Sequence, residues 1–154
     1  MDISPAHAVA VMQAIRNPAL QARLALLHGD TENRATLEFH GGTYPDPPGS
    51  GTPTPLAVLT FPASAGTVDE DEHMILLASP LEALVTGADP VDGTIPIWAR
   101  LRMPGGDWWG DLTVSVEGEG GEVQLVQTAI EGGVPVVRWF NGAPARLATM
   151  TIQG

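Results

Sequence analysis

The chain has 154 residues, with 18 acidic residues against seven arginines and no lysine, and its formal net charge is -11 at pH 7. This charge disfavours nucleic acid as a partner, because phosphate binding needs clustered positive charge, and the missing lysines exclude Schiff-base chemistry. There is no cysteine, which excludes disulfides, thiolate nucleophiles and Cys-ligated zinc.

The first 34 residues predict a helical N-terminal arm (1–34). Ser4-Pro5 is a helix cap followed by a first-turn proline, and Asn17-Pro18 repeats that signature. We therefore expect two short helices or one broken helix. An apolar stripe formed by Leu20, Leu24 and Leu27 ends before Gly29. The stripe either packs on the body of its own subunit or binds a neighbour, and the periodicity fits both.

The segment 41–55, "GGTYPDPPGSGTPTP", follows a predicted strand at 35–40 and is dense in glycine and proline. Such a composition predicts a loop, and loops of this length in compact domains tend to have a binding or assembly role. Tyr44 and Pro45 are therefore candidate contact residues.

Apolar runs at intervals of about ten residues predict a series of short strands from residue 35 onward. They lie at 35–40, 56–61, 74–78, 94–103, 108–117, 122–127, 134–140 and 145–152. The segment 79–93 fits either a strand with a turn or one helical turn. We predict a β-sandwich domain over 35–154 and a mainly β fold, an antiparallel β-sandwich or jelly roll with a short helical N-terminal segment.

Tryptophan and arginine recur together on the predicted strands. In 94–103, alternation puts Trp98, Arg100 and Arg102 on the face opposite the core. After the predicted hairpin "MPGGDW", the same reasoning sends Trp108 into the core and Trp109 outward. Because Trp and Arg are enriched at interface hot spots, we predict a partner-binding surface. Its candidate residues are Trp98, Arg100, Arg102, Trp109, Arg138, Trp139, Tyr44, Pro45, Leu20 and Leu24.

Neither catalysis nor metal binding has a linear signature in this sequence. His7, His28, His40 and His73 lack metal-ligand spacing. The acidic runs at 69–72 and 117–122 fit solvated turns better than a calcium site, which needs ligands in a fixed order around a glycine. We expect no enzyme, cofactor or metal. A small hydrolase stays open only if His40 or His73 meets carboxylates in the folded chain.

The order of the motifs adds a resemblance. "TPLAVLTF", "GTIPIWARLRMPGGDWWGDLTVS" and "VQTAIEGGVPVVRWFNGAPARLATMTI" follow one another along the chain. This order resembles a family of small tailed-bacteriophage proteins with a Gly-Thr strand, an aromatic-x-Arg-Leu motif and a Gly-containing hairpin. The resemblance covers roughly residues 35 to 152. The matching positions are Gly93, Thr94, Trp98, Arg100 and Leu101, with Gly42, Thr43 and Pro45 in the first turn and Gly132 or Gly133 in the late one.

The resemblance implies a structural virion protein without catalysis, located in the virion and assembled in the host cytoplasm. Our leading hypothesis is a capsid decoration or cement protein that clamps neighbouring capsid subunits through loop 41–55 and the N-terminal helices. Its expected partners are the major capsid protein or other virion proteins and further copies of itself, with a trimer favoured, and neither nucleic acid nor a membrane. The alternatives are a tail, head-tail connector or baseplate component and, from another class, a carbohydrate-binding module using Trp98 and Trp109.

Overall fold

The structure is a computed structural model and describes residues 4–153. Its first element is helix α1 (Pro5–Ala25). The Ser4 side chain accepts a hydrogen bond from the His7 N–H, as an N-cap does. Pro18 lies inside the helix without ending it, so the expectation of two helices or a broken one is wrong. Proline removes one helical hydrogen bond, and the continuing turns on both sides tolerate that loss. Among the described residues, no helical sequence combines the length and hydropathy of a membrane-crossing helix.

The apolar stripe at the end of α1 packs on the subunit's own body. Leu20, Leu24 and Leu27 are fully buried in the hydrophobic core. The periodicity allows packing on the same subunit or binding to a neighbour, and the structure has packing on the same subunit. Leu20 and Leu24 are therefore not available at the surface as contact residues.

Strands make up most of the remaining regular structure. The strands of the described chain are β1 (Thr36–His40), β2 (Ala57–Thr60), β3 (Gly66–Asp69), β4 (Met74–Leu77), β5 (Leu81–Leu84), β6 (Trp98–Arg102), β7 (Trp108–Val116), β8 (Val123–Leu125), β9 (Ala129–Glu131), β10 (Val134–Val136) and β11 (Pro144–Gln153).

One long sheet holds all of them except the β9–β10 hairpin. Its order is β2-β1-β6-β7-β8-β11-β4-β3, and β5 also pairs with β11. All pairs are antiparallel except β7 with β8, which is parallel. The sheet curls until β5 approaches β2, where the N–H groups of Thr86 and Gly87 donate to the carbonyl of Leu56. The mainly β, sandwich-like fold predicted from the sequence is confirmed.

The hydrophobic core lies inside this curled sheet. Strand alternation sends Leu37 and Phe39 of β1 inward, while Thr36 and Glu38 face outward. Trp139 packs edge-on against Phe39, with ring centroids 5.1 Å apart. Trp139 is therefore a core residue, and its assignment to a contact surface is corrected by its complete burial.

The predicted strands agree with the structure where a run is long or alternates clearly. The ambiguous segment 79–93 contains the strand β5. Two strands of the structure, β3 and β9, were not predicted. The predicted strand at 134–140 ends at Val136, and beyond it Trp139 makes an isolated bridge with Thr94.

Candidate functional site

The glycine- and proline-rich loop 41–55 lies against the outer face of β6 and β7. The Tyr44 hydroxyl donates to the Asp111 carbonyl at 2.7 Å, and the Gly49 N–H donates to the Asp111 carboxylate at 2.6 Å. The Arg100 guanidinium donates to the carbonyls of Gly51 and Ser50 at 2.8 and 3.0 Å. The loop is therefore tied to its own subunit at four points and does not extend freely as an arm.

The centre of this attachment is the ion pair between Arg100 and Asp111. Arg100 Nε lies 2.7 Å from Asp111 Oδ1, and both side chains are almost completely shielded from water. Burial alone would raise the pKa of the Asp111 carboxyl, but hydrogen bonds from Arg100 and the Gly49 N–H hold it below its usual value. The bond to Asp111 in turn raises the pKa of Arg100. The pair stays charged, and a buried charged pair is stable only when every partner remains in place.

Trp98 lies beneath the same loop, with only 2% of its surface exposed. Its ring stacks on His40 at 4.2 Å and lies 5.2 Å from the Arg100 guanidinium carbon. The expectation that Trp98 and Arg100 form an exposed contact face is therefore wrong. Alternation identified the face correctly, but the loop covers that face. In this position Trp98 cannot present its ring to a glycan.

His40 is buried beside Trp98. Burial lowers the pKa of His40, and the positive charge of Arg100 lowers it further. The carboxylate of Glu38, 3.8 Å from His40 Nε2, acts in the opposite direction and raises this pKa. Arg102, on the same strand as Arg100, bonds to Glu38 at 2.8 Å and stays partly exposed. Protonation of His40 is therefore disfavoured, because it would place a second buried positive charge beside that of Arg100.

Trp108 and Trp109 exchange the positions that alternation predicts. Leu101 of β6 pairs with Gly110, but Arg102 pairs with Trp108, so Trp109 is an extra residue in a β-bulge. A bulge of one residue reverses the facing of the residues before it. Trp108 is accordingly 45% exposed and donates from Nε1 to Asp111, while Trp109 packs against the core. The predictions for both tryptophans are corrected.

Trp109 also connects β7 to helix α1. Its Nε1 donates to the Arg23 carbonyl at 3.2 Å, and the Arg23 guanidinium carbon lies 5.3 Å from its ring centroid. The helix is thus fixed to the body by Trp109 as well as by its leucines.

Arg138 is the member of the predicted contact set that lies beside an open apolar region. Its guanidinium binds the Glu131 carboxylate at 2.6 Å and the Asp92 carbonyl at 3.1 Å. With Val126 and Phe140 it lines a cavity of about 250 Å³. Around the neighbouring β9–β10 hairpin, Ile130 and Val134 are strongly exposed. Because Val134 pairs with Glu131 and Pro135 pairs with Ile130, Ile130 and Val134 lie on opposite faces of the hairpin. We call Val126, Ile130, Val134, Phe140 and the half-buried Arg138 the hairpin surface.

Helix α1 carries a second exposed apolar region. Val9, Met12 and Ile15 point into solvent, and Leu26 does so just past the helix end. The sequence-based predictions gave these exposed residues no role.

The acidic residues form turn contacts. Asp69 accepts from the N–H groups of Asp71 and Glu72, and Glu122 accepts from the Thr113 N–H. The His73 ring is 2.9 Å from the Asn17 side chain. Within residues 4–153, no three His, Cys, Asp or Glu side chains are grouped as metal ligands.

Comparisons of the chain with models of protein families, with curated proteins and with solved structures give no match.

Proposed function

We propose that this protein is a structural component of a bacteriophage particle, a capsid decoration protein that binds the assembled shell through the hairpin surface. The observation that carries the proposal is the exposure of Ile130, Val134 and Phe140 around a hairpin that stands outside the main sheet. Phe140 lines the cavity, and Ile130 and Val134 expose apolar groups on the two faces of the neighbouring hairpin. Exposed apolar groups of this kind mark a region that another protein covers. The resemblance of residues 35 to 152 to small tailed-phage proteins supplies the kind of particle.

The chemistry of the hairpin surface suits a protein partner. An aromatic ring, Phe140, lies beside Arg138, and these two residue types are enriched in the centres of interfaces. Arg138 and Arg146 both line the cavity, in a chain whose net charge is -11. Glu131 and Glu82 pair with these two arginines, so a shell face with apolar side chains complements this region and needs no negative charge of its own.

The position of loop 41–55 also bears on the proposal. The loop is bonded to β6 and β7 of its own subunit, so we assign the shell contact to the hairpin surface and not to the loop. The acidic remainder of the molecule suits the outside of a particle, because negative charge repels free nucleic acid and other particles.

The test is co-sedimentation of the purified protein with empty shells of its particle. The wild-type chain should sediment in a fixed ratio to the shell subunits. Ile130→Glu places a charge in the proposed contact and should reduce binding at least tenfold. Leu76→Glu, which makes the same kind of change at an exposed side chain of β4, should bind as the wild type does.

Three outcomes would contradict the proposal: a wild-type chain that stays in the supernatant, binding that survives Ile130→Glu, or a copy number that follows the rings of the tail. The last outcome would move the protein to the tail, connector or baseplate.

A further inference from the structure

Helix α1 has an apolar face that its own subunit leaves uncovered. Successive residues on this face are separated alternately by four and three positions, the spacing of a coiled-coil seam. Leu20 and Leu24, which dock on the body, lie on a different side of the helix. We call the following residues the α1 seam: Ala8, Met12, Ile15, Ala19, Ala22 and Leu26.

The larger members of the α1 seam are in water. Ile15 is 64% exposed, and Met12 and Leu26 are also open to solvent. The remaining members are alanines, which let a second helix approach closely. A helix that is apolar on two sides is expected to be covered on both of them, and the body covers only the side of Leu20 and Leu24.

The two flanks of the α1 seam differ in charge. Arg16 and Arg23 follow Ile15 and Ala22 and lie on one flank. Pro18 precedes Ala19 on the opposite flank, where the turn between β3 and β4 brings Glu70 and Asp71 alongside the helix. The helix itself contains no acidic residue. Arg23 stacks on Trp109 of its own subunit, so Arg16 is the side chain that makes the first flank positive, and Glu70 and Asp71 make the other flank negative.

We propose that copies of this chain associate through the α1 seam as parallel helices around a common axis. In a parallel ring, the Arg16 flank of each copy meets the Glu70–Asp71 flank of the next. In an antiparallel pair, like flanks would meet, and Arg16 would face Arg23 of the other copy. A single chain supplies both complementary flanks, which makes a second copy the occupant that fits this face.

By their spacing, Met12, Ala19 and Leu26 occupy the first apolar position of the heptads, and Ala8, Ile15 and Ala22 occupy the second. The seam and its flanks therefore indicate the direction of the helices and not their number. The inference concerns the isolated chain and does not depend on the proposed function, because no shell takes part in it.

The first experiment measures the mass of the full chain in solution by light scattering over a range of concentrations. The expected mass is two or more times the 16.1 kDa of one chain. Ile15→Glu should give a monomer at concentrations where the wild type is assembled. Val91→Glu makes the same change in an exposed loop away from α1 and should leave the mass unchanged. Circular dichroism shows whether each variant is folded.

The second experiment tests the direction of the helices through their charges. Arg16→Glu alone and Asp71→Arg alone should each weaken self-association at least fivefold at low salt. The chain with both changes restores opposite charges between neighbours and should associate nearly as the wild type does. A monomeric wild type, assembly that survives Ile15→Glu, or a double variant no better than the single ones would overturn the proposal.

Discussion

At the residue scale, Asp111 is the side chain on which most contacts of loop 41–55 converge. It binds Arg100, the Gly49 N–H and the Trp108 indole through its carboxylate. Asp111→Asn keeps the shape but leaves the Arg100 charge buried without its counter-charge. We expect the free energy of unfolding to fall by about 3 kcal/mol, as for other broken buried pairs. Urea denaturation followed by tryptophan fluorescence measures this loss.

Asp107→Asn is the matched control for that substitution. Asp107 lies exposed in the β6–β7 turn, and its backbone carbonyl makes the turn's hydrogen bond. The control should change stability by less than about 0.5 kcal/mol. Equal effects of the two substitutions would show that the Arg100–Asp111 pair does not stabilise the loop.

His40 predicts a loss of stability in mild acid. Its pKa is lowered in the folded state by burial, so the unfolded chain binds the proton more readily. Stability is then fully present above about pH 6.5, the value of a free histidine, and falls as the pH drops towards the folded pKa. The slope should stay below about 1.4 kcal/mol per pH unit for one proton. Urea midpoints measured from about pH 7 to about pH 5.5 test this before the carboxylates titrate.

His40→Phe keeps an aromatic ring against Trp98 but cannot be protonated, so its stability should change less over the same pH range. His7→Gln removes an exposed histidine and should keep the wild-type slope. A wild-type slope in His40→Phe would contradict the assignment of the acid sensitivity to His40.

At the element scale, the fit of loop 41–55 depends on Gly49. Its φ is +80°, and a Cβ there would lie 3.0 to 3.2 Å from the Trp108 ring. Gly49→Ala therefore combines backbone strain with a collision. Gly42→Ala, at φ +75° with open space around it, has the strain alone. We expect a loss of about 1 kcal/mol for Gly42→Ala and a clearly larger loss for Gly49→Ala.

Urea denaturation gives both stabilities, and limited proteolysis of the loop gives a second measure. Gly49→Ala should speed cleavage within 44–51 because it moves the loop off Trp108. If the two alanine variants lose the same stability, the Trp108 contact contributes nothing to holding the loop.

The elements that were predicted correctly are those whose signal is local. Alternation and turn residues identify β1, β6 and β7 because side-chain facing repeats within each strand. The bulge at Trp109 has no such signal, since it depends on how β7 pairs with β6. One extra residue there was enough to reverse the predictions for Trp108 and Trp109. The position of a bulge depends on the register between the two paired strands, and the sequence of β7 alone does not specify that register.

At the scale of the whole molecule, charge is distributed unevenly. Helix α1 has two arginines and no acidic residue, whereas the rest of the chain has all 18 acidic residues and five arginines. Like charges on a compact body repel one another and destabilise it. We expect the melting temperature to rise by about 2–4 °C between low salt and about 0.2 M NaCl, because salt screens this repulsion over about 8 Å. Calorimetry on the Ile15→Glu chain measures this without a contribution from self-association.

A variant with Glu117→Gln and Glu119→Gln tests the cause of the salt effect. Both glutamates are exposed in the β7–β8 turn, so the change removes two negative charges without touching the core. Its melting temperature should depend less steeply on salt. An unchanged salt dependence would show that a local ion pair, and not the overall charge, is responsible.

At the scale of the whole molecule, the sequence predicts the fold class better than the candidate site. Composition and strand spacing predicted the mainly β architecture correctly. They did not show that loop 41–55 folds back over Trp98 and Arg100, because that contact joins residues about 50 positions apart. Four hydrogen bonds make this contact, two to Asp111 of β7 and two from Arg100 of β6, so the complete contact needs the two strands side by side. The α1 seam lies within one helix, so its spacing is contained in the sequence, but the sequence-based predictions gave it no role.

Strand β7 joins two attachments that are far apart along the chain. Trp109 holds the backbone of α1 at Arg23, and Asp111, two residues further on, holds loop 41–55. A partner that moves α1 therefore acts on Trp109 and, through Gly110, on the carboxylate that orders the loop. We expect binding of a partner to α1 and the order of loop 41–55 to be energetically coupled, so that each favours the other by the same free energy. A change at α1 would therefore affect loop 41–55, and a change in the loop would affect α1, through residues 109–111 of β7.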